Sequence, residues 1–175
     1  MGAAPSLPVP PGLVTCRAVL GYDDHVRRAV TSLKNRGERA LVSVLADSLA
    51  ALVPDVSGLL VTWAPTGAGR RRERGFDQAE LLARAVARRR GLPVARLLRR
   101  LPGPAQAGRS AADRWDNPAF SARRNRAPVL LVDDVSTTGA TLSAAAAALR
   151  RAGSIEVHGL VVARAPARAP GPRQV

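Results

Sequence analysis

The 175 residues are 46% hydrophobic but only 3% aromatic, so a single domain of this length must build its core from Ala, Val and Leu. The one cysteine, Cys16, excludes a disulfide-stapled miniprotein and a cysteine-based structural zinc site, and no apolar run reaches the roughly 18 residues of a membrane helix. A net charge of +14 points to polyanionic partners such as nucleic acid or nucleotides, while a GC-rich coding bias toward Arg, Ala, Gly and Pro would produce the same surplus.

In chain order, residues 1–16 read as a Pro-rich flexible leader. It has no basic n-region, so it is not a secretory signal, and a cytoplasmic setting is expected. Residues 17–163 then alternate between helix and strand patterns. Val26, Val30 and Leu33 share a helical face after Asp23 and Asp24, and Gly37 suits the position that ends that helix. Leu41, Val44, Leu45, Leu49 and Leu52 form a second apolar stripe, and Gly58 to Trp63 reads as a strand. The pattern predicts a helix over Phe76 to Arg90. Asp77 can cap it, Glu80 sits at capping-box spacing and Phe76 can staple to Leu81, with Glu80, Arg84 and Arg88 outside. Val94 to Leu98 fits an edge strand.

Val129-Leu130-Leu131-Val132 is apolar without alternation, which marks a strand covered on both faces at the centre of a parallel sheet. Thr141 to Ala152 is a helix with Leu142, Ala145 and Leu149 inward, and Gly153 ends it. Ile155 to Ala163 is the next strand, and residues 164–175 are a Pro/Arg tail expected to be disordered. The alternation predicts an α/β domain with helices on both faces of the sheet. His25 and His158 have no acid or metal partner at useful spacing and read as structural, and Trp63 and Trp115 read as packing residues.

The chemistry lies in Asp133-Asp134-Val135-Ser136-Thr137-Thr138-Gly139-Ala140-Thr141, where the buried strand ends in two adjacent acids and a hydroxyl-rich turn with a glycine leads into the helix. Ligands of open α/β sheets sit beyond the carboxyl ends of strands, and a helix N-terminus offers free N–H groups and a positive dipole to a phosphate. Ser136, Thr137, Thr138 and Thr141 add hydroxyl donors, and Gly139 lets the backbone approach. Asp133 and Asp134 disfavour an adjacent phosphate but suit neutral hydroxyls or Mg²⁺. A phosphate at one end and a diol with metal at the other match a ribose 5-phosphate.

This string resembles the phosphoribosyl-pyrophosphate (PRPP) signature of the type I phosphoribosyltransferases. The resemblance implies that Asp133 and Asp134 hold the ribose hydroxyls and organise Mg²⁺, through ribose or water. It implies that the segment from Val135 to Gly139, with Thr141, wraps the 5-phosphate. Thr137 stands where many nucleobase enzymes of that superfamily carry an Asp near the leaving base. Three further segments are similar to the ComF family: Arg70 to Ala79 with Arg-Gly-Phe-Asp-Gln-Ala; Gln106-Ala107-Gly108 followed by Arg114, Asn117 and Ala119-Phe120; and Tyr22 with Leu33-Lys34. Asp77 replaces that family's usual Asn. The four-cysteine zinc module that often opens ComF-like proteins is not expected here, since only Cys16 is present.

The resemblance implies a type I phosphoribosyltransferase-like parallel sheet flanked by helices. Ala64-Pro65-Thr66 would be its pyrophosphate loop, with Lys34, Gln78 and Arg114 in support. Arg70 and Arg74 would lie on a flexible catalytic loop that pairs with pyrophosphate, for which guanidinium forks are suited; a solvated charge run or a DNA contact are the other readings of that cluster. Two functions follow. One is PRPP binding, with Mg²⁺-dependent phosphoribosyl transfer to an acceptor. The other is an accessory role in DNA uptake, with single-stranded DNA or a helicase-type protein as partner. No membrane association is expected.

Overall fold

The computed structural model describes residues 8–21, 39–67, 75–102 and 118–164. In chain order these form β1 (Thr15–Gly21), α1 (Arg39–Ala51), β2 (Leu60–Trp63), α2 (Gln78–Arg90), β3 (Leu98–Arg100), β4 (Phe120–Ala122), β5 (Val129–Ser136), α3 (Ala140–Arg151) and β6 (Val157–Arg164). Four strands make a sheet in the order β1-β6-β5-β2, with every neighbouring pair parallel. A parallel bridge between Val61 and Val94 extends the β2 edge, so the expected edge strand at Val94 is reduced to an isolated bridge. The short antiparallel pair β3–β4 stands apart from this sheet.

Helices cover both faces, as the alternation requires. On one side α1 and α2 pack Leu45, Leu49, Leu82 and Val86 against Val61, Trp63, Leu130, Val132 and Leu160. On the other, α3 and the β3–β4 pair pack Leu142, Leu149, Leu98 and Phe120 against Val129, Leu131, Val157 and Val161. Successive β5 side chains therefore enter opposite cores, which explains the unbroken apolar run. Leu130, Leu131 and Val132 are all fully buried. Among the described residues no helix is long and apolar enough to cross a membrane.

Several local expectations change. The α1 stripe runs through Leu45, Ala46, Leu49 and Ala50, with Val53 continuing it just past the helix end, while Val44 faces solvent at 62% exposure. Helix period puts Val44 off the face that meets α2. Asp77 does occupy the N-cap of α2, but its side chain makes no cap hydrogen bond. Leu81 is partly exposed, and Glu80 accepts from Arg84 at 2.9 Å rather than closing a capping box. Gly91 ends α2 at φ 62°, the left-handed C-cap conformation. His158 gains partners that spacing did not reveal, Thr15 Oγ1 on Nδ1 at 3.0 Å and Glu156 Oε2 on Nε2 at 3.2 Å. The helix expected from Val26 to Leu33 lies outside the described residues, as do His25 and Trp115.

The boundary at residue 16 also moves. β1 begins at Thr15, Val14 N–H donates to Val157 O at 2.8 Å, and Pro10 is buried. Apolar side chains of the expected leader find cover on the sheet: Leu13 and Cys16 crowd Gly159 of β6, where an added Cβ would meet them at 3.0 and 3.1 Å. At the other end Arg164 belongs to β6 rather than to the tail.

Two outcomes follow from this packing. Gly159→Ala should destabilise the fold by about 1–3 kcal/mol, since the added methyl must displace Leu13 or Cys16. Urea unfolding checks it, and an unchanged midpoint would mean the N-terminal segment is not held. Burial pushes the Cys16 thiol up, with the Arg164 charge opposing. The thiolate is thus favoured in the unfolded chain, so this contribution to stability is full below the ordinary thiol range and lost as pH rises through the raised folded value. Alkylation of Cys16 near pH 8.5 should be slower in the native protein than in urea.

Candidate functional site

β5 carries the apolar run outward into polar sequence without breaking the ladder. The strand extends to Ser136, with Asp133 beside Val161, Val135 beside Ala163 and Ser136 beside Arg164. The two acids are therefore strand residues, as the sequence pattern placed them, and the strand runs on past them through Val135 and Ser136. Thr137, Thr138 and Gly139 make the turn, and α3 starts at Ala140. Gly139, the N-cap, has φ 78°, and an added Cβ would lie 3.1 Å from Pro10, so both backbone conformation and space demand glycine there.

This segment forms a small concave cleft lined by Asp133, the residues from Val135 to Gly139, and the first turn of α3 through Thr141 and Leu142. Asp133 is 8% exposed, and its Oδ1 accepts the Asp134 N–H at 2.8 Å. Asp134 Oδ1 accepts the Val135 N–H, also at 2.8 Å. Each carboxylate is thus oriented by the next peptide of its own strand. Thr138 Oγ1 accepts the Ala140 N–H at 3.3 Å. Ser136 is 4% exposed, and its Oγ is buried with no hydrogen-bond partner among the described residues. Such a hydroxyl carries a desolvation cost of about 1–3 kcal/mol until something pairs with it.

The register brings a second segment alongside. Trp63 pairs with Val132, and the ladder continues one step, with Ala64 N–H donating to Val132 O at 3.0 Å. Ala64, Pro65 and Thr66 therefore leave the sheet next to Asp133. The Asp77 carboxylate holds this loop: it accepts the Thr66 N–H at 2.9 Å and the Thr66 hydroxyl at 3.2 Å. The acid expected to cap α2 serves as the tether of the β2 loop, a role only the folded proximity of residues 66 and 77 could reveal. Gln78 follows it, 5% exposed, with Oε1 buried and unpaired among the described residues.

The structure thus assembles Asp133 to Gly139, Thr141 and the Ala64–Thr66 loop at one end of the sheet. Lys34, Arg70, Arg74 and Arg114 lie outside the described residues, as do Tyr22, Gln106 and Asn117. Sequence reading missed Arg164 by assigning it to the tail. It lies 9% exposed beside Ser136, with its guanidinium donating to Pro8 O, and an arginine continuing an apolar strand was the only signal available.

Residues 77–174 match the family model described as Phosphoribosyl transferase domain. The chain belongs to that family. It is of the ComF type: it is 31% identical over 145 residues to Competence protein ComFC of Bacillus subtilis (strain 168), a match covering 78% of this chain and 58% of that protein. The chain thus spans a little over half the length of that relative. Among solved structures, purine phosphoribosyltransferase from Pyrococcus horikoshii Ot3 aligns with 77% of this chain and 91% of its own, at 16% identity and a TM-score of 0.37. The parallel sheet flanked by helices and the family match together fix the ComF-type chain as a type I phosphoribosyltransferase-like domain.

Asp77→Ala should cost about 1–3 kcal/mol, because it strands the half-buried Thr66 donors. Asp77→Asn keeps one acceptor oxygen and should cost less. Thermal unfolding of the two variants gives the order, and equal melting points would remove the tether.

Proposed function

We propose that the carboxyl end of β5 binds PRPP, or a related phosphorylated ribose, together with Mg²⁺. The observation that carries this reading is the buried Ser136 hydroxyl, unpaired among the described residues, at the mouth of α3, where N–H groups and the dipole favour a phosphate. Gly139 keeps the approach clear. The ribose hydroxyls then donate to Asp133 and Asp134, three and two residues back from Ser136 along the same strand.

The donor set fits Mg²⁺. Asp133 and Asp134 offer oxygen ligands, and among the described residues no cluster of three or more His, Cys, Asp or Glu forms an all-protein cage. Mg²⁺ ordinarily keeps several waters and takes one or two carboxylates plus substrate oxygens. Bound there, it would neutralise pyrophosphate charge. In the transferase form of this reading, an acceptor's nucleophile bonds to the anomeric carbon as the carbon–oxygen bond to pyrophosphate breaks. The protein acts by positioning and by stabilising the leaving group, with the Ala64–Thr66 loop as the pyrophosphate seat and Arg70 and Arg74 as its counter-charges. A second reading, an accessory role in competence, rests on the name of the Bacillus subtilis relative.

Calorimetric titration with PRPP, with and without Mg²⁺, tests the site. The Asp133→Asn/Asp134→Asn protein should lose Mg²⁺-dependent binding while its melting temperature holds, since Asn keeps the oxygen that accepts the next peptide N–H. Ser136→Ala should weaken binding about tenfold or more, the worth of a hydrogen bond to a charged group. Unchanged affinity in both would overturn the assignment.

A further inference from the structure

The arginines of this chain are not spread evenly. On α1 and α2, Arg84 is neutralised by Glu80 and Arg89 by Asp47, while Arg88 and Arg90 stand exposed outside any cleft of the arginine band. Around β3, β4 and the last turn of α3 the pattern is different. Residues 94–102, 118–128 and 140–155 contain no Asp or Glu. Two open clefts adjoin there at Ala122. One, of about 420 Å³, is lined by Arg96, Arg99 and Arg123, and the other, of about 690 Å³, by Arg124, Arg126 and Arg151. All six side chains are exposed, and among the described residues none meets a carboxylate.

Their place in the fold is fixed by backbone bonds. Arg123 N–H donates to Leu97 O at 2.8 Å and Asn125 N–H to Ala152 O at 3.1 Å, so the chain leaving β4 runs down beside α3 to the start of β5. The arginines form a band from the β3–β4 edge to the amino ends of β5 and β6, where Glu156, the acid next to Ile155, is engaged with His158 rather than with an arginine. The cleft at Ser136 lies at the opposite, carboxyl end. The dipole of α3 favours Arg151 at its C-terminus but gives no reason for the other five.

We propose that this band is a second binding surface, for the phosphate backbone of duplex DNA. The guanidinium fork suits phosphate oxygens, and adjoining clefts of one sign suit a polymer with closely spaced negative charge. The rest of the lining is mostly Ala, Gly and Ser, with Leu97 and Leu98 buried and Ile155 the exposed apolar side chain. That is poor in the anchors a protein interface needs. A single strand would call for aromatic platforms, and Phe120, the aromatic ring of this region among the described residues, is buried beneath Arg100. The guanidinium groups are donors only, so they engage phosphates and offer nothing to the donor side of an RNA 2′-hydroxyl. This surface does not depend on the ribose-phosphate reading.

The test is the salt dependence of binding to a fluorescent DNA duplex of about two helical turns, using the full chain. Arg99→Gln/Arg123→Gln should flatten the log–log slope by roughly two, since each phosphate that an arginine neutralises contributes about 0.9 to it. Arg88→Gln/Arg90→Gln removes the same charge from exposed positions on α2 and should leave the slope unchanged. Equal slopes for both double variants would overturn the surface, as would tighter binding of a single strand, an RNA duplex or polyglutamate than of the DNA duplex. All variants should melt with the wild type, since each side chain changed is exposed.

Discussion

β5 is bonded along both edges, to β6 and to β2, and covered on both faces by helices. Such a strand has no freedom to slip, because a shift of one residue would exchange two apolar cores. Every other feature takes its position from this constraint. The neighbouring strands are placed in register by it, and its outward end decides where polar residues must stand. The domain lacks aromatic bulk, so the tight fit of Val, Leu and Ala against β5 carries the core.

The site is the point where that strand stops being apolar. Asp133 and Asp134 remain in the ladder, and each orients its carboxylate with the peptide that follows. The turn is then forced into a left-handed glycine, which brings the free end of α3 back over the strand. The β2 loop reaches the same place because a parallel neighbour must end at the same side of the sheet. Asp77 holds it there through two bonds to Thr66. A phosphate seat, a carboxylate pair and a tethered loop are thus consequences of one parallel register.

Charge divides the molecule along the same axis. The carboxyl end holds Asp77, Asp133 and Asp134, with Arg164 among them. Among the described residues the β3–β4 edge holds exposed arginines without acids, and at the amino end of β6 Glu156 is engaged with His158. A composition rich in arginine supplies the charge, but the fold decides which arginines find partners. Where helices expose both signs at a spacing of four residues, pairs such as Glu80–Arg84 form. Where short strands and loops follow acid-free sequence, no such neutralisation occurs.

The sequence alone determined the central strand, the turn with its glycine and the helix after it, because burial on two faces and a helix start leave local marks. Those marks also placed Asp133 to Thr141 at a strand end and supported the family resemblance. Contacts between residues distant in the chain were decided by tertiary structure. Asp77 reads as a helix cap from its neighbours, yet its carboxylate belongs to Thr66. His158 looked unpartnered until β1 set Thr15 beside it. Residues 8–16 read as part of a leader because proline masks periodicity, while the sheet edge at β6 supplied the cover that local pattern could not show. The arginine band is scattered over three stretches of sequence, and only the packing of β3, β4 and α3 joins it, because charge acts through space and not along the chain.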